Sequence, residues 1–412
     1  MNLKTTFFVF LIFLTLTGFG QNKEFKDFAN LSDSLMHKAY EQRNPEKYLL
    51  SLNKFNEEYS KLSDKDKEYF KGFRINEFYN LSCTYSLLND KTNAIIYLKK
   101  SLEAGYNDYA HIQQDSDLDN IRKEKDFLKL IQAYRELNDY LYILKKAGKY
   151  NLQEKQEIPV FTYQRANNPK LVNLRKTFNL DSIAGNANEV SKILNILHWV
   201  HNTVSHDGSS ESGITDRNAY AILTAVRTRH IGVCCGELAT TLNDCYLSLG
   251  FASRKVYCYP KDSLGTDNDN HVINVVYLPS MHKWIWVDPT NDAYVRDEKQ
   301  QLLSIEDVRN RLINDKPLML NPDANWNHKN KVIKEYYLDS YMAKNLYMME
   351  CPVNSEYDFE TKNVGKSITY IQLIPLDYHK KSLKKEVSVN SEAKTTIITY
   401  LTNNPDIFWQ AP

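Results

Sequence analysis

Lysine and arginine (52) balance aspartate and glutamate (51) almost evenly, for a formal net charge of +1. A broad nucleic-acid or anionic-lipid surface needs a basic excess, so neither role fits. Long apolar runs are also scarce. The longest, residues 7–19, is shorter than the roughly 20 residues a bilayer span requires. Ligand spacing is missing too, because His198 and His201 lie three apart on an expected helix with no second pair to complete a zinc site. The six cysteines form no disulfide framework, and Cys245 and Cys258 read as buried apolar residues. What remains is an ordinary globular composition, 42% hydrophobic and 25% charged over 412 residues, enough for two or three domains. The 28 tyrosines suit half-buried positions but carry no specific chemistry.

Residues 1–20 read as a secretory signal peptide. Lys4 supplies the positive start, the 7–19 run follows, and Gly18 and Gly20 offer a cleavage site that leaves Gln21 first. No cysteine follows the run to carry a lipid. The expectation is an exported, soluble protein, periplasmic or extracellular, with no stable membrane insertion once the signal is cleaved.

The chemistry-bearing stretch is Gly232-Val233-Cys234-Cys235-Gly236-Glu237-Leu238-Ala239. Leu238, Leu242, Cys245, Tyr246 and Leu249 then recur at helical spacing, and Gly250 stops the helix. Cys235 therefore falls at the N-terminus of a helix with one apolar face, where unpaired N–H groups and the helix dipole favour a thiolate. Downstream, residues 272–278 and 284–287 read as strands joined by Pro279-Ser280-Met281-His282. A hairpin with that four-residue loop puts His271 and Asp288 on one face of the sheet, opposite or diagonal to each other. A thiol, an imidazole and a carboxylate are the parts of a nucleophile, its base and the base's orienter.

With Leu-Gly-Phe-Ala-Ser-Arg at 249–254 and Trp286-Val287-Asp288-Pro289-Thr290 added, residues 160–325 resemble the transglutaminase-like superfamily. The resemblance implies a papain-related α+β core, a nucleophilic cysteine on a helix, and the histidine and aspartate on adjacent strands. It places the catalytic residues on Cys235, His271 and Asp288; no cofactor and no metal are expected. Where the family has one cysteine, this chain has two. The alanine four residues after the nucleophile selects Cys235 (with Ala239) over Cys234, which otherwise reads as a small buried residue.

The remaining organisation is coarser. Residues 24–150 read as an all-α, tetratricopeptide-like domain. Helix starts are expected at Leu31-Ser32-Asp33 and Leu62-Ser63-Asp64, and a break at Asn44-Pro45. Phe78, Leu81, Ser82 and Tyr85, then Ala94, Leu98 and Ser101, fit a helix-turn-helix repeat that Gly105 ends, though no clean second copy follows. Residues 145–151 read as a linker and 155–325 as the catalytic domain. Within it Asn188 caps a helix, and 218–229 forms another that leads to Cys235. The loop 204–215, with His206-Asp207-Gly208, reads as a surface turn, while the resemblance implies a place near the site entrance. The acidic loop 262–270 (Asp262, Asp267, Asp269) reads as solvated, with lining the cleft as the alternative. Residues 326–412 read as a small α+β extension or a separate β module, with a helix over 332–349 and strands over 368–374 and 395–401.

The expected function is an exported thiol enzyme acting on amide bonds through a thioester, a peptidase or amidase. The alternatives are a cross-linking transglutaminase and an inactive peptide-binding scaffold. Expected partners are a peptide or protein substrate and a peptide on the helical domain, with no nucleic acid.

Overall fold

The computed structural model describes residues 23–106, 108–208, 212–261, 269–378 and 385–412, so the expected signal segment lies outside the described residues. The chain divides into two compact units, Met1–Arg135 and Glu136–Pro412.

The first unit is helical. Helix α1 (Lys23–Glu41) runs straight through the expected start at Ser32, because Phe25, Ala29, Ser32, Met36 and Ala39 form one continuous buried stripe. That stripe outweighs the capping preference of a serine. The other two signals mark real helix starts. Asn44 caps α2 (Pro45–Ser60), accepting from the Lys47 amide at 3.0 Å, and Ser63 caps α3 (Asp64–Leu87), accepting from the Asp66 amide at 3.2 Å. Asp90 caps α4 (Lys91–Glu103). The small residues picked out of the sequence hold α3 and α4 together as an antiparallel pair. Ser82 donates to the Ala94 carbonyl (2.7 Å) and Ser101 to the Ile75 carbonyl (3.0 Å). Gly105 then turns the chain at φ +109°. Helices α5 (Tyr109–Gln114) and α6 (Lys125–Asn138) follow.

The second unit is α+β. It begins before the stretch 145–151: α7 (Tyr140–Lys146) buries Leu144 in the same core as Phe161 and Val256, and the Asn151 amide donates to the Asn403 carbonyl at 2.8 Å. After α8 (Pro169–Thr177) and α9 (Leu180–Ala184), α10 (Glu189–Thr203) is capped by Asn188 and α11 (Ala219–Arg229) by Asn218. Helix α12 (Cys235–Ser248) follows, with Gly250 at φ +87° beyond it. Its sequence shows one apolar face, yet every residue from Glu237 to Ser248 is buried. Its polar side is covered because each polar group there finds a partner: Asn243 bonds Ser355, and Asp244 accepts from the Ala219 amide at 2.8 Å.

Strands β1 (Ser253–Tyr259), β2 (His271–Leu278), β3 (Lys283–Val287), β4 (Met348–Pro352), β5 (Ser367–Leu373), β6 (Lys385–Asn390) and β7 (Thr395–Thr402) form one sheet, ordered β6-β7-β5-β4-β1-β2-β3. Only β5 and β7 run parallel. Both faces of β1 to β3 are buried, whereas the edge strand β6 is exposed. Ile273, Val275, Trp284 and Trp286 pack with Tyr337 and Leu338, while Val276, Leu278, Ile285 and Val287 pack with Leu238 and Leu242 of α12.

The last strands therefore complete the sheet of the second unit rather than forming a separate module. The helix expected over 332–349 is shorter and irregular: Lys334–Tyr336, a π-helical turn Tyr337–Met342, and Ala343–Asn345. Met348 and Met349 belong to β4, where the edge of β1 offers them ladder hydrogen bonds. Arg254, from the 249–254 motif, is fully buried. Its guanidinium lies 4.2 Å from the Phe161 ring and 4.3 Å from the Trp284 ring, and it donates to the Phe408 carbonyl at 2.8 Å. Among the described residues, no helix is long and apolar enough to cross a membrane.

Candidate active site

The two adjacent cysteines sit on either side of a helix start. Cys234 is the N-cap of α12, and the Glu237 carboxylate reaches back to its amide at 3.1 Å. Arg217, at 2.8 Å, and Ser212 hold that carboxylate. Burial raises the Cys234 thiol above the usual range. Cys234 is half-buried rather than enclosed, since the cap position leaves one side open. Cys235 is the first helical residue, so its amide is among the donors the helix leaves unpaired.

The β2–β3 register pairs Asn274 with Val287 and Leu278 with Lys283, leaving the four-residue loop Pro279–His282. Continued one step, it sets Asp288 across from Ile273, diagonal to His271 and on the same face. There His271 Nε2 and an Asp288 oxygen are 2.8 Å apart, both groups buried. The carboxylate is further held by the Thr290 amide (2.8 Å), the Asn291 side-chain amide (2.9 Å) and the Tyr337 hydroxyl (2.5 Å). With Nε2 engaged, Nδ1 is the imidazole nitrogen left for the sulfur, and His271 is a hydrogen-bond partner of the Cys235 thiol.

Cys235, His271 and Asp288 are thus brought together, and their charges support one another. Burial opposes a Cys235 thiolate, but hydrogen bonds from His206 and His271 and from the Val272 amide outweigh it and lower the thiol to about 6. For His271, burial opposes the imidazolium, while the Asp288 carboxylate and the sulfur raise it to about 10. Against its own burial, Asp288 is held down to about 2 by His271, Tyr337 and Asn291. The shifts favour a thiolate–imidazolium pair beside a carboxylate as the resting form.

Several further residues surround this pair. His206 is the first of them, in the loop that reads as a surface turn and that the resemblance places near the site entrance. Residues 205–207 form a parallel bridge to the chain just before Cys235: the Asp207 amide donates to the Val233 carbonyl at 2.8 Å and the Val233 amide to the Ser205 carbonyl at 3.0 Å. Tyr337 and Tyr341 come from the π-helical turn, the second packing its ring 5.3 Å from that of His271. A π-turn is a recurrent feature of functional sites, but nothing in the tyrosine-rich segment distinguishes these two from their neighbours. Asp269 lies 3.4 Å from Lys344. Asp262 and Asp267 lie outside the described residues.

One group among the described residues has metal-ligating atoms close together: His198, Asp292 and Asp323, within 4.8 Å of one another. Protein partners already account for it. His198 bonds the Asp292 carboxylate at 2.7 Å, and Asn321 bridges the Asp292 carbonyl and the Asp323 carboxylate.

Residues 176–289 match the family model described as the transglutaminase-like superfamily. The second unit thus carries a transglutaminase-like, papain-related α+β fold, of a kind found among thiol enzymes. A stretch of 58 residues, 14% of the chain, is 40% identical to part of a chloroplastic protein of Arabidopsis thaliana, and covers 17% of that protein. A solved structure provisionally described as a cysteine protease, from Cytophaga hutchinsonii, is 22% identical over 32% of this chain and 40% of its own, with a TM-score of 0.23. The chain spans under half the length of either relative.

Proposed function

We propose, taking the transglutaminase-like domain at residues 176–289 as the starting point, that the second unit is a thiol acyl-transfer enzyme that hydrolyses amide bonds. The observation that carries this reading is the arrangement at the start of α12: the half-buried Cys235 is the first helical residue and His271 is its partner, His271 lies 2.8 Å from Asp288, and the Cys235 thiol is lowered while that of Cys234 is raised.

In the reaction, the Cys235 thiolate adds to the amide carbonyl carbon, and the carbonyl π pair moves to oxygen. As the C=O bond re-forms, the C–N bond breaks and the amine leaves with the proton of the His271 imidazolium. Neutral His271 then takes a proton from water, whose oxygen adds to the thioester. Collapse of this second adduct breaks the C–S bond, releases the acid and restores the thiolate–imidazolium pair. Asp288 orients the imidazole and stabilises its charged form. Hydrolysis by a peptidase or amidase is the leading reading, and transfer to an amine, as in a cross-linking transglutaminase, the alternative. The N-terminal segment supports an exported location and peptides or proteins outside the cytoplasm as substrates. The helical first unit supports a peptide partner there.

The test is iodoacetamide labelling of wild type, Cys235→Ser and Cys234→Ser across pH, followed by peptide profiling with and without a labelled amine. Labelling at pH 7 should be fast and lost only in Cys235→Ser. Labelling no faster than that of an ordinary cysteine marks the inert scaffold, and incorporation of the amine marks the transglutaminase.

A further inference from the structure

The matched residues end at 289, yet the imidazole–carboxylate pair is completed from well beyond them. The π-helical turn Tyr337–Met342 carries two tyrosines four apart, so both project to one side. Tyr341 sets its ring edge-on against the imidazole of His271, at 5.3 Å and 60°. Tyr337 reaches the Asp288 carboxylate instead, and the oxygen it selects matters. Its hydroxyl donates to Oδ2 at 2.5 Å, the same oxygen that accepts from Asn291 at 2.9 Å and bonds His271 Nε2 at 2.8 Å. Oδ1 takes the Thr290 amide at 2.8 Å. Thr290 and Asn291 follow Asp288 in its own loop and already fix where the carboxylate lies. A carboxylate oxygen offers about two lone-pair sites, so three donors must share Oδ2. Each donor that draws on it leaves less for the others. Tyr337 is held to this contact: it is buried, the Trp286 ring stands edge-on against it at 6.3 Å, and burial beside a carboxylate keeps its hydroxyl protonated.

We propose that Tyr337 is a positioning residue for expulsion of the amine: by sharing Oδ2 with His271 it loosens the grip of Asp288 on the imidazolium, which then yields its other proton to the leaving nitrogen. The proposal rests on the acyl-transfer reading above. In that step the C–N electron pair goes to nitrogen and the nitrogen takes the Nδ1 proton. His271 is left neutral, with Nε2–H still on Asp288. An imidazolium that its carboxylate stabilises more strongly is a weaker acid, and a general acid works best near the ambient pH. The Asp288 carboxylate and the sulfur already raise His271 to about 10, so further stabilisation slows the transfer. Too weak a carboxylate loses the imidazolium and too strong a one locks its proton in place; Tyr337 sets the balance. The other ionisable groups around the pair do not touch Oδ2. Cys235 faces the imidazole, Cys258 lies beside Tyr337, and Asp269 with Lys344 lies behind Tyr341. Across the sulfur, His206 turns Nδ1 to the indole N–H of Trp326 at 3.1 Å, which leaves Nε2 for the thiolate.

Tyr337→Phe removes the single hydroxyl. Proton NMR of the full chain at pH 7 follows the Nε2–H resonance of His271, which moves downfield as that hydrogen bond strengthens. Asp288→Asn identifies the resonance by abolishing its low-field position. Tyr337→Phe should move it further downfield, and 3-fluorotyrosine at position 337, a stronger donor, should move it upfield. A tyrosine that merely props the site gives the reverse in Tyr337→Phe, because a loosened bond shifts upfield or exchanges away. Kinetics use two acetyl donors: p-nitrophenyl acetate, whose phenolate leaves without a proton, and p-nitroacetanilide, whose nitrogen needs one. In Tyr337→Phe the anilide rate should fall about tenfold more than the ester rate, a fraction of the roughly 10²–10⁴-fold that a positioned acid contributes. Fast iodoacetamide labelling of Cys235 at pH 7 shows that the variant site is assembled. An Nε2–H resonance that stays or moves upfield in Tyr337→Phe, or ester and anilide rates that fall by one factor, overturns the proposal. Ester cleavage that survives in Cys235→Ser overturns the acyl-transfer reading itself, whatever the resonance does.

Discussion

A buried thiol ordinarily becomes harder to ionise, as Cys245, Cys258 and Cys351 do here. Cys235 goes the other way because three donors converge on its sulfur. The sign of the pH dependence follows. The thiolate is lost as pH falls through about 6, and the imidazolium is lost as pH rises through about 10. Alkylation of Cys235 should thus climb with a midpoint near 6 and already be flat at pH 8, while a free cysteine is still climbing towards its pKa of about 8.5. A midpoint near 8.5 contradicts the assigned ion pair. Replacing Asp288 by Asn keeps the shape and removes the charge that sustains the imidazolium. The midpoint should then move up and acylation should fall by orders of magnitude, up to about 10⁴-fold as in serine triads. Unchanged kinetics in that variant would show that Asp288 serves only to hold the loop 288–293. That Cys235, His271 and Asp288 could be brought together was legible in the sequence because each had a local cue: a helix start, a strand start and a strand end. His206 was placed near the site only through the resemblance and Trp326 not at all, since 120 residues separate them and their contact depends on how two loops meet.

The elements explain why those side chains can converge. The chain at Gly232 passes so close to the loop at Asp207 that an added Cβ would lie 2.8 Å from the Asp207 Cβ and 3.3 Å from the Ser205 carbonyl. Gly232→Ala must therefore push the 205–207 bridge away from Val233 and carry His206 with it. The cost should be about 1–3 kcal/mol, as for other overpacked sites, read as a lower urea midpoint together with slower acylation. A variant with both quantities unchanged would mean that the bridge is slack. Helix periodicity could be read correctly for α10, α11 and α12, because each pairs an apolar repeat with a cap or stop residue. It misled at Ser32, where a small polar residue continues the buried stripe, and over 332–349, where sheet pairing claims the last residues of an apparent helix.

The whole second unit is built around a sheet whose members come from the middle and the end of its sequence. Strands β4 to β7 are four of the seven and all lie beyond residue 345, yet β4 pairs directly with β1, Tyr257 opposite Glu350. Lys255 and Glu360 form a buried ion pair across the same junction, with Tyr257 and Tyr370 also bonded to Glu360. Cutting the chain after Lys331 would strand Lys255 without its partner, expose the edge of β1, and remove Tyr337 from Asp288. Such a chain should show no cooperative thermal transition and should aggregate. A soluble product with native near-UV circular dichroism and fast Cys235 labelling would disprove this dependence.

Local pattern alone determined that a helix begins at Cys235, that a four-residue loop joins two strands, and that His271 and Asp288 share a face. Short-range periodicity and turn chemistry fully specify such features. Which nitrogen of each imidazole meets the sulfur, what fixes the second imidazole, and whether the final strands belong to the same sheet were decided only by tertiary packing. Those outcomes depend on contacts between segments far apart in the chain, and no spacing rule encodes where distant loops will touch.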